Sequence, residues 1–152
     1  MKLFFCLLLS SLFFFGCSEK SAEEIAVEDQ AEIEQYLIDN GLTSQVTDSG
    51  LHFIVEREGN GSKPDINNEV TVHYHGYFPN GEVFDSSVDR GEPSTFQLSR
   101  VILGWIEGIP KFSKGGKGVL LIPSALAYGP SGRGSIPGNA VLIFDVELID
   151  IN

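Results

Sequence analysis

The stretch Val70-Thr-Val-His-Tyr-His75 alternates apolar and polar side chains, which is the pattern of a half-buried β-strand. Val70, Val72 and Tyr74 face one side of such a strand, and the polar residues face the other. Shortly after it, Asn80-Gly81 favours the backbone angles of a tight turn and separates two further apolar pairs. This part of the chain therefore predicts antiparallel strands joined by a hairpin.

The rest of the chain adds more strands and one short helix to this hairpin. Turn residues and apolar spacing predict strands at 51–55, 95–98, 119–122 and 140–151, and a helix over 101–112 that ends at Gly115-Gly116. Several antiparallel strands around one short central helix predict an α+β fold.

Composition and charge exclude several classes of protein. The chain has 152 residues, of which 42% are hydrophobic, and this suits one globular domain. Acidic residues outnumber basic ones by 21 to 10, so the basic surface of a nucleic-acid binder is missing. Two cysteines cannot form a disulfide framework. His73 and His75 share one strand face, but without a clear third ligand no metal or other cofactor is predicted.

The first residues have the pattern of a secretory signal. Met1-Lys2 is positively charged, residues 3–15 are apolar except for two serines, and Gly16-Cys17 precedes a polar stretch. A cysteine after a small residue resembles a bacterial lipoprotein signal, although Phe14 stands where an aliphatic residue is usual. An ordinary buried helix is the alternative, but it would carry polar residues around its circumference. We therefore predict a signal peptide at 1–16 and lipidation of Cys17.

This signal also predicts a location. A lipid on Cys17 would anchor the protein to a membrane of the bacterial cell envelope. Ser18 follows the cysteine, and in enteric-type lipoproteins a residue other than aspartate at this position directs the protein to the outer membrane. The prediction is the periplasmic face of the outer membrane.

Residues 17–46 form an acidic segment before the domain. Positions 19–40 hold eight acidic residues and one basic residue, and Ser21 with Glu24 predicts a capped helix at about 21–39. Its thin apolar stripe consists of Ile25, Ala26, Ile33, Tyr36 and Leu37. The favoured interpretation is a solvated tether, and the alternative is a helix that forms a homodimer. The domain itself is predicted at 47–152, so a protein that begins at Thr47 is expected to fold and stay active.

Four stretches of this domain, taken in order, resemble the FKBP-type peptidyl-prolyl cis-trans isomerases. They are Val72-His-Tyr-His-Gly76, Phe84-Asp-Ser-Ser-Val-Asp-Arg90, Val101-Ile-Leu-Gly-Trp-Ile-Glu-Gly108, and Ala127-Tyr-Gly129 with Ile136-Pro137 before Leu142-Ile-Phe-Asp-Val-Glu-Leu148. The bacterial lipoprotein and periplasmic members are the most similar. The resemblance covers about 50–152 and implies an antiparallel sheet wrapped around one short helix, with proline-containing polypeptides as substrates.

The resemblance also implies an aromatic pocket. Trp105 would form its floor, and Tyr74, Phe84 and Phe144 would form its walls. Considered singly, each of these aromatic residues would be assigned to the core.

Further residues complete the implied site. Val101 and Ile102 would form a lip, with the Ile102 N–H as a donor to the peptide, and the Tyr128 hydroxyl would donate to a substrate carbonyl. Asp85 would be a carboxylate facing the pocket, with Tyr74 and Arg90 beside it to stabilise its charge.

The chain departs from the family pattern at several points. A wall aromatic expected near Ser94 is missing, so the pocket should be more open on one side, and this puts affinity for macrolides most in doubt. Arg133 lies near a position where small cytosolic members carry a histidine. Ile136, on the flap, lies only eight residues after Tyr128, which leaves no room for an inserted chaperone domain.

The implied chemistry needs neither a nucleophile nor a metal. Rotation about an X-Pro bond has a barrier of about 18–20 kcal/mol because it breaks amide resonance. The twisted amide is less dipolar than the planar one, so a dry apolar pocket favours it. An apolar residue before the proline should be preferred, because it meets the pocket wall and the protein is acidic. The sequence therefore predicts an isomerase that assists the folding of envelope proteins. The alternative is a weakly catalytic proline-binding or chaperone module tethered to a membrane.

Overall fold

The structure is a computed structural model and describes residues 20–152. The predicted signal peptide and the lipidation site at Cys17 lie outside these residues. The described part begins with helix α1 (Ala22–Asp39), where the Ser21 hydroxyl accepts a hydrogen bond from the Glu24 N–H and the Glu24 carboxylate accepts one from the Ser21 N–H. This capping box confirms the helix predicted at about 21–39.

One antiparallel sheet organises the rest of the chain. Its strands are β1 (Gln45–Val46), β2 (His52–Arg57), β3 (Glu69–Tyr77), β4 (Val83–Ser86), β5 (Ser94–Gln97), β6 (Lys117–Ile122) and β7 (Leu142–Ile151). The order is β1-β2-β6-β7-β3-β4, and β5 pairs with the other end of β3. Strand β3 therefore contacts three strands, which confirms the importance of the alternating stretch at 70–75.

Two short helices connect the strands. Helix α2 (Ser87–Arg90) follows β4, and helix α3 (Leu103–Gly108) lies against the sheet. The predicted helix over 101–112 is shorter than expected, because it continues only as a 3₁₀ turn at Ile109–Lys111. Pro110 lies in this turn and has no N–H to extend the α-helical hydrogen-bond pattern.

The main core lies between α3 and the inner face of the sheet. We call the inner face the one that carries Leu120 and Ile122, which are both fully buried. Gly104 and Gly108 of α3 face these two side chains. A Cβ at Gly104 would overlap Ile122, and one at Gly108 would lie 2.7 Å from Leu120. The two glycines therefore let α3 lie closer to β6 than larger residues would permit.

The outer face of the sheet carries Val119 and Leu121, and α1 covers it. Ile33 is fully buried in this second core, Leu37 is 8% exposed, and Val141 and Ile143 pack there as well. Strand β6 is consequently buried on both faces. The interpretation of residues 22–39 as a solvated tether is wrong, because the thin apolar stripe of α1 packs against this outer face.

Polar contacts also join α1 to the domain. The buried Asp29 carboxylate accepts hydrogen bonds from the Ser124 N–H at 2.8 Å and from its hydroxyl at 2.6 Å. Gln30 donates to the Gly50 carbonyl at 2.9 Å, and its side-chain oxygen lies 2.9 Å from His52 Nε2. These contacts are specific and partly buried, so α1 is a structural part of the domain.

The solvent side of α1 leaves Val27 and Ile38 exposed. Formation of a homodimer through this helix stays a prediction. Within residues 20–152, no helix combines the length and the apolar character that a bilayer span requires.

Candidate active site

A cavity of about 750 Å³ opens on the inner side of the sheet at the start of α3. Its volume is in the range usual for ligand pockets. It is lined by Tyr74, Phe84, Asp85, Phe96, Arg100, Val101, Ile102, Trp105, Tyr128, Arg133, Gly134, Ser135, Ile136 and Phe144. Of the ten pocket residues predicted from the sequence, nine line this cavity, and the tenth, Arg90, lies behind Asp85.

Trp105 forms the floor, and three other rings hold it edge-on. Its ring centre lies 5.4 Å from that of Tyr74, 5.4 Å from that of Phe96 and 5.3 Å from that of Phe144, at angles of 78° to 90°. Edge-to-face packing is the favourable arrangement for aromatic rings. Trp105 is only 4% exposed, and its indole N–H has no hydrogen-bond partner among residues 20–152. The floor is therefore apolar and fixed in position.

A glycine makes room for the wall of this cavity. Gly76 pairs with Phe144 across β3 and β7, and a Cβ at this position would lie 2.7 Å from the Phe84 ring and 2.9 Å from the Phe144 ring. Without a side chain at Gly76, these two rings meet edge-on with centres 5.4 Å apart. The packing of the apolar wall therefore requires a glycine at position 76.

Phe96 is the aromatic pocket residue that sequence reasoning missed, and Arg100, Gly134 and Ser135 also line the cavity without having been predicted. The motif comparison placed a wall aromatic near Ser94, which does not line the cavity. Phe96 follows two positions later on the same face of β5, and its ring packs against Tyr74 and Trp105. Residues two apart on a strand point the same way, so strand alternation was the signal that could have identified Phe96.

One carboxylate, that of Asp85, lines the cavity, and both of its oxygens accept hydrogen bonds. Asp85 Oδ2 accepts a hydrogen bond of 2.5 Å from the Tyr74 hydroxyl, and Oδ1 accepts one from Arg90. Arg90 also donates to the Tyr74 hydroxyl at 2.9 Å. Helix α2 positions Arg90, because the Ser86 hydroxyl caps its first turn.

This network separates the pKa values of its members. Burial alone would raise the pKa of the Asp85 carboxyl, but the hydrogen bonds from Tyr74 and Arg90 outweigh it and hold that pKa below its usual value. Burial, together with the bond to Asp85, raises the pKa of the Tyr74 hydroxyl. Near neutral pH, Asp85 is therefore ionised and Tyr74 is protonated, and neither group gains or loses a proton there.

The lip and the flap provide donors at the mouth of the cavity. Ile102 directly precedes α3, and its backbone N–H has no acceptor within residues 20–152. Tyr128 lies at the start of the flap, and the Arg133 guanidinium lies 5.7 Å above its ring centre. The backbones of Arg133 and Ile136 exchange hydrogen bonds of 2.8 and 2.9 Å, which close the flap into a tight hairpin.

Each of the two histidines on the outer face of β3 forms a hydrogen bond with a serine hydroxyl. His73 Nδ1 lies 3.1 Å from the Ser87 hydroxyl, and His75 Nδ1 lies 3.0 Å from the Ser86 hydroxyl. In the part of the chain that the structure describes, no three metal-ligating side chains come together.

An antiparallel sheet around a short helix, with an aromatic cavity at the start of that helix, defines the FKBP class of proteins. The family model for FKBP-type peptidyl-prolyl cis-trans isomerase matches residues 60–149, which is more than half of the chain. The chain belongs to this family, as the sequence motifs predicted.

Individual relatives agree with this assignment. The chain is 50% identical over 136 residues to the FKBP-type peptidyl-prolyl cis-trans isomerase FkpA of Aeromonas hydrophila, covering 88% of this chain and 51% of the relative. It is 41% identical over 133 residues to FkpA of Escherichia coli K12, covering 88% of this chain and 48% of the relative. The chain thus spans about half the length of these curated relatives.

Solved structures show the same fold. The crystal structure of FkpA from Escherichia coli superposes with a TM-score of 0.76 at 39% identity, covering 86% of this chain and 62% of the other. The structure of a peptidyl-prolyl cis-trans isomerase from Pseudomonas syringae gives a TM-score of 0.74 at 31% identity, covering 89% of this chain and 98% of the other.

Proposed function

We propose that the chain is a peptidyl-prolyl cis-trans isomerase that rotates X-Pro bonds in the cavity above Trp105. The observation that carries this proposal is the aromatic floor, in which Tyr74, Phe96 and Phe144 hold Trp105 edge-on. It offers a proline ring a flat apolar surface without a nucleophile. Membership of the FKBP-type family supports the same activity.

The rate enhancement comes from the difference between the planar and the twisted amide. The planar amide is dipolar and loses solvation when it leaves water, whereas the twisted amide loses less. The apolar rings therefore bind the twisted form more strongly than the ground state. The Ile102 N–H and the Tyr128 hydroxyl donate to carbonyls of the substrate and hold the chain on either side of the proline.

A protease-coupled assay on a Leu-Pro peptide tests this activity. Turnover supports the isomerase, whereas binding without turnover supports the weakly catalytic binding or chaperone module. The sequence favoured this second function because Ser94 stands where the family pattern has an aromatic, but the Phe96 ring lines the cavity and argues for the isomerase.

The pH profile of the reaction should be nearly flat. Because the pKa of Asp85 is lowered and that of Tyr74 is raised, neither group titrates between about pH 6 and 8. We expect kcat/KM for a neutral Leu-Pro peptide to change less than about twofold across this window. The measurement is a pH series, with circular dichroism at each point to show that the protein is folded.

The matched variant for this test is Asp85→Asn, which removes the charge and keeps the shape. Its rate should be lower, but its pH profile should also be flat, since the Asp85 carboxylate is already ionised throughout the window. A tenfold rise or fall in the unmodified protein would mean that a titrating group takes part, and the desolvation mechanism would then be abandoned.

We further propose that the protein acts on folding polypeptides in the bacterial envelope, held there by a lipid on Cys17. The support is the sequence pattern of residues 1–17. Cys17→Ala should move the protein from the membrane fraction to the soluble fraction. Cys6→Ala is the matched control, because Cys6 would leave with the signal peptide and its loss should change nothing. Equal membrane recovery of the Cys17→Ala and unmodified proteins would reject the lipid anchor.

A further inference from the structure

Two arginines line the cavity mouth from different elements of the fold. Arg100 ends the 3₁₀ turn Leu98–Arg100, directly before the lip at Val101 and Ile102. Arg133 lies on the flap and is held above the ring of Tyr128. Both side chains are exposed, so their guanidinium groups are accessible to a bound peptide.

Neither arginine has an acidic partner within residues 20–152. Five other basic residues in this range form salt bridges with carboxylates, and they are Lys20, Arg57, Arg90, Lys114 and Lys117. The carboxylate in the lining, Asp85, is already paired with Arg90. The lining therefore carries two positive charges and one negative charge, which gives it a net charge of +1.

This local charge is opposite to that of the whole protein. The chain carries a net charge of -11, and this total was one reason to expect an apolar residue directly before the proline. The total does not describe the cavity mouth, because the wall of a low-dielectric cleft concentrates the field of the charges that line it. A guanidinium also matches a carboxylate geometrically, since its parallel N–H groups can bind both oxygens.

The placement of the two arginines also suggests where the carboxylate of a substrate would lie. The floor beneath the X-Pro pair is apolar, so a charged residue directly before the proline would be desolvated there without a partner. Arg100 and Arg133 line the cavity next to the lip and to Tyr128, the two groups proposed to hold the peptide on either side of the proline. A carboxylate one residue outside the X-Pro pair would therefore meet a guanidinium and remain partly hydrated.

We propose that Arg100 and Arg133 select substrates in which an acidic residue flanks an apolar X-Pro pair. This inference rests on the proposed function, since it names the class of polypeptide that the same cavity takes. Ion pairs at an exposed rim are individually weak, so the expected preference is about three- to tenfold at low salt. It should shrink as the ionic strength rises, because salt screens exposed charges.

The test compares matched peptides that differ in one flanking charge. Exchange between cis and trans is followed by NMR, which avoids the sequence preference of a coupled protease. The peptides are Glu-Leu-Pro-Phe, Gln-Leu-Pro-Phe and Lys-Leu-Pro-Phe, and a second set places the variable residue after the proline. We expect kcat/KM to be about three- to tenfold higher for Glu than for Gln in at least one set, and this ratio should fall in high salt.

Variants link this ratio to the two arginines. The double variant R100Q/R133Q should bring the Glu-to-Gln ratio close to one, and R100E/R133E should favour the Lys peptide. Lys63→Gln is the control, because it removes one positive charge from a surface lysine that is not part of the cavity lining. It should leave the ratio unchanged.

Two readouts separate failure of this inference from failure of the proposed function. Trp105 is the sole tryptophan of the chain, so its fluorescence reports peptide binding in the cavity without any turnover. Turnover without a charge preference in either peptide set, or a ratio that survives R100Q/R133Q, overturns the inference alone. Charge-selective binding without turnover overturns the isomerase and supports the inference.

Discussion

A protein that begins at Thr47 should lose most of its folding stability, because it lacks α1. The packing in the structure argues against the earlier expectation that such a protein folds and stays active. Loss of α1 uncovers Val119, Leu121 and Ile143, each of which is at most 4% exposed in the whole protein. Burial of one such side chain is worth about 1.5–3 kcal/mol, and the whole stability of a domain is about 5–15 kcal/mol.

The contribution of α1 can also be measured without truncation. Ile33→Ala should lower the free energy of unfolding by about 2–5 kcal/mol, because Ile33 is fully buried against the sheet. Val27→Ala is the matched control on the same helix. Val27 is 66% exposed, and its loss should change stability by less than about 0.5 kcal/mol.

Urea denaturation of the truncated protein and of the two variants measures these changes in the free energy of unfolding. Equal midpoints for the truncated and whole proteins, or equal losses in the Ile33 and Val27 variants, would mean that α1 does not stabilise the domain.

The second large effect is expected at Trp105. Trp105→Ala should cost about 3–5 kcal/mol of stability, because it leaves a cavity beneath three aromatic rings. Trp105→Leu should cost less, since it fills part of the space and also removes a buried N–H that has no partner in the described residues. Its kcat/KM should nevertheless fall by about tenfold or more, because a flat aromatic anchor is lost.

Phe112→Leu separates stability from activity in this test. Phe112 is a buried core aromatic that does not line the cavity, so the variant should lose stability and keep its rate per folded molecule. The measurements are urea denaturation and kcat/KM at a temperature where every variant is folded. An unchanged rate in folded Trp105→Leu protein would remove Trp105 from the site.

The sequence predicted the sheet and most of the cavity because both depend on local patterns. Alternation at 70–75 indicated the buried face of β3, and Val70, Val72 and Tyr74 are buried as expected. The Asn80-Gly81 turn is present, with Gly81 at a φ of 87°. The ordered motifs then identified the residues of the cavity, because each motif keeps its position relative to a strand or to α3.

The docking of α1 was missed because its partner surface comes from distant parts of the chain. The stripe at Ile33 and Leu37 is too narrow to predict a partner by itself. A second signal was present in β6, where four consecutive apolar residues at 119–122 indicate a strand buried on both faces. The acidic composition of the segment also hid Asp29, whose burial depends on Ser124 far along the chain.

Arg100 and Phe96 were missed for a different reason. Motif comparison transfers roles only to positions that the family pattern marks, and neither residue is marked there. Strand alternation alone could have identified Phe96, whereas the contribution of Arg100 depends on the turn after β5, whose position becomes visible only when the strands are paired.

Because α3 lies so close to β6, substitutions between the helix and this strand can alter the size of substrate that the cavity accepts. Gly104 and Gly108 rest on Ile122 and Leu120, and Trp105 projects from the same helix into the cavity. A methyl group added at Gly104 would overlap Ile122, so the helix or Ile122 would have to shift, and Trp105 would move with the helix. A smaller side chain at Ile122 would give the helix, and Trp105 with it, room to shift in the opposite direction. Evolution or design could therefore change which residues fit beside the proline while leaving every residue that touches the substrate unaltered.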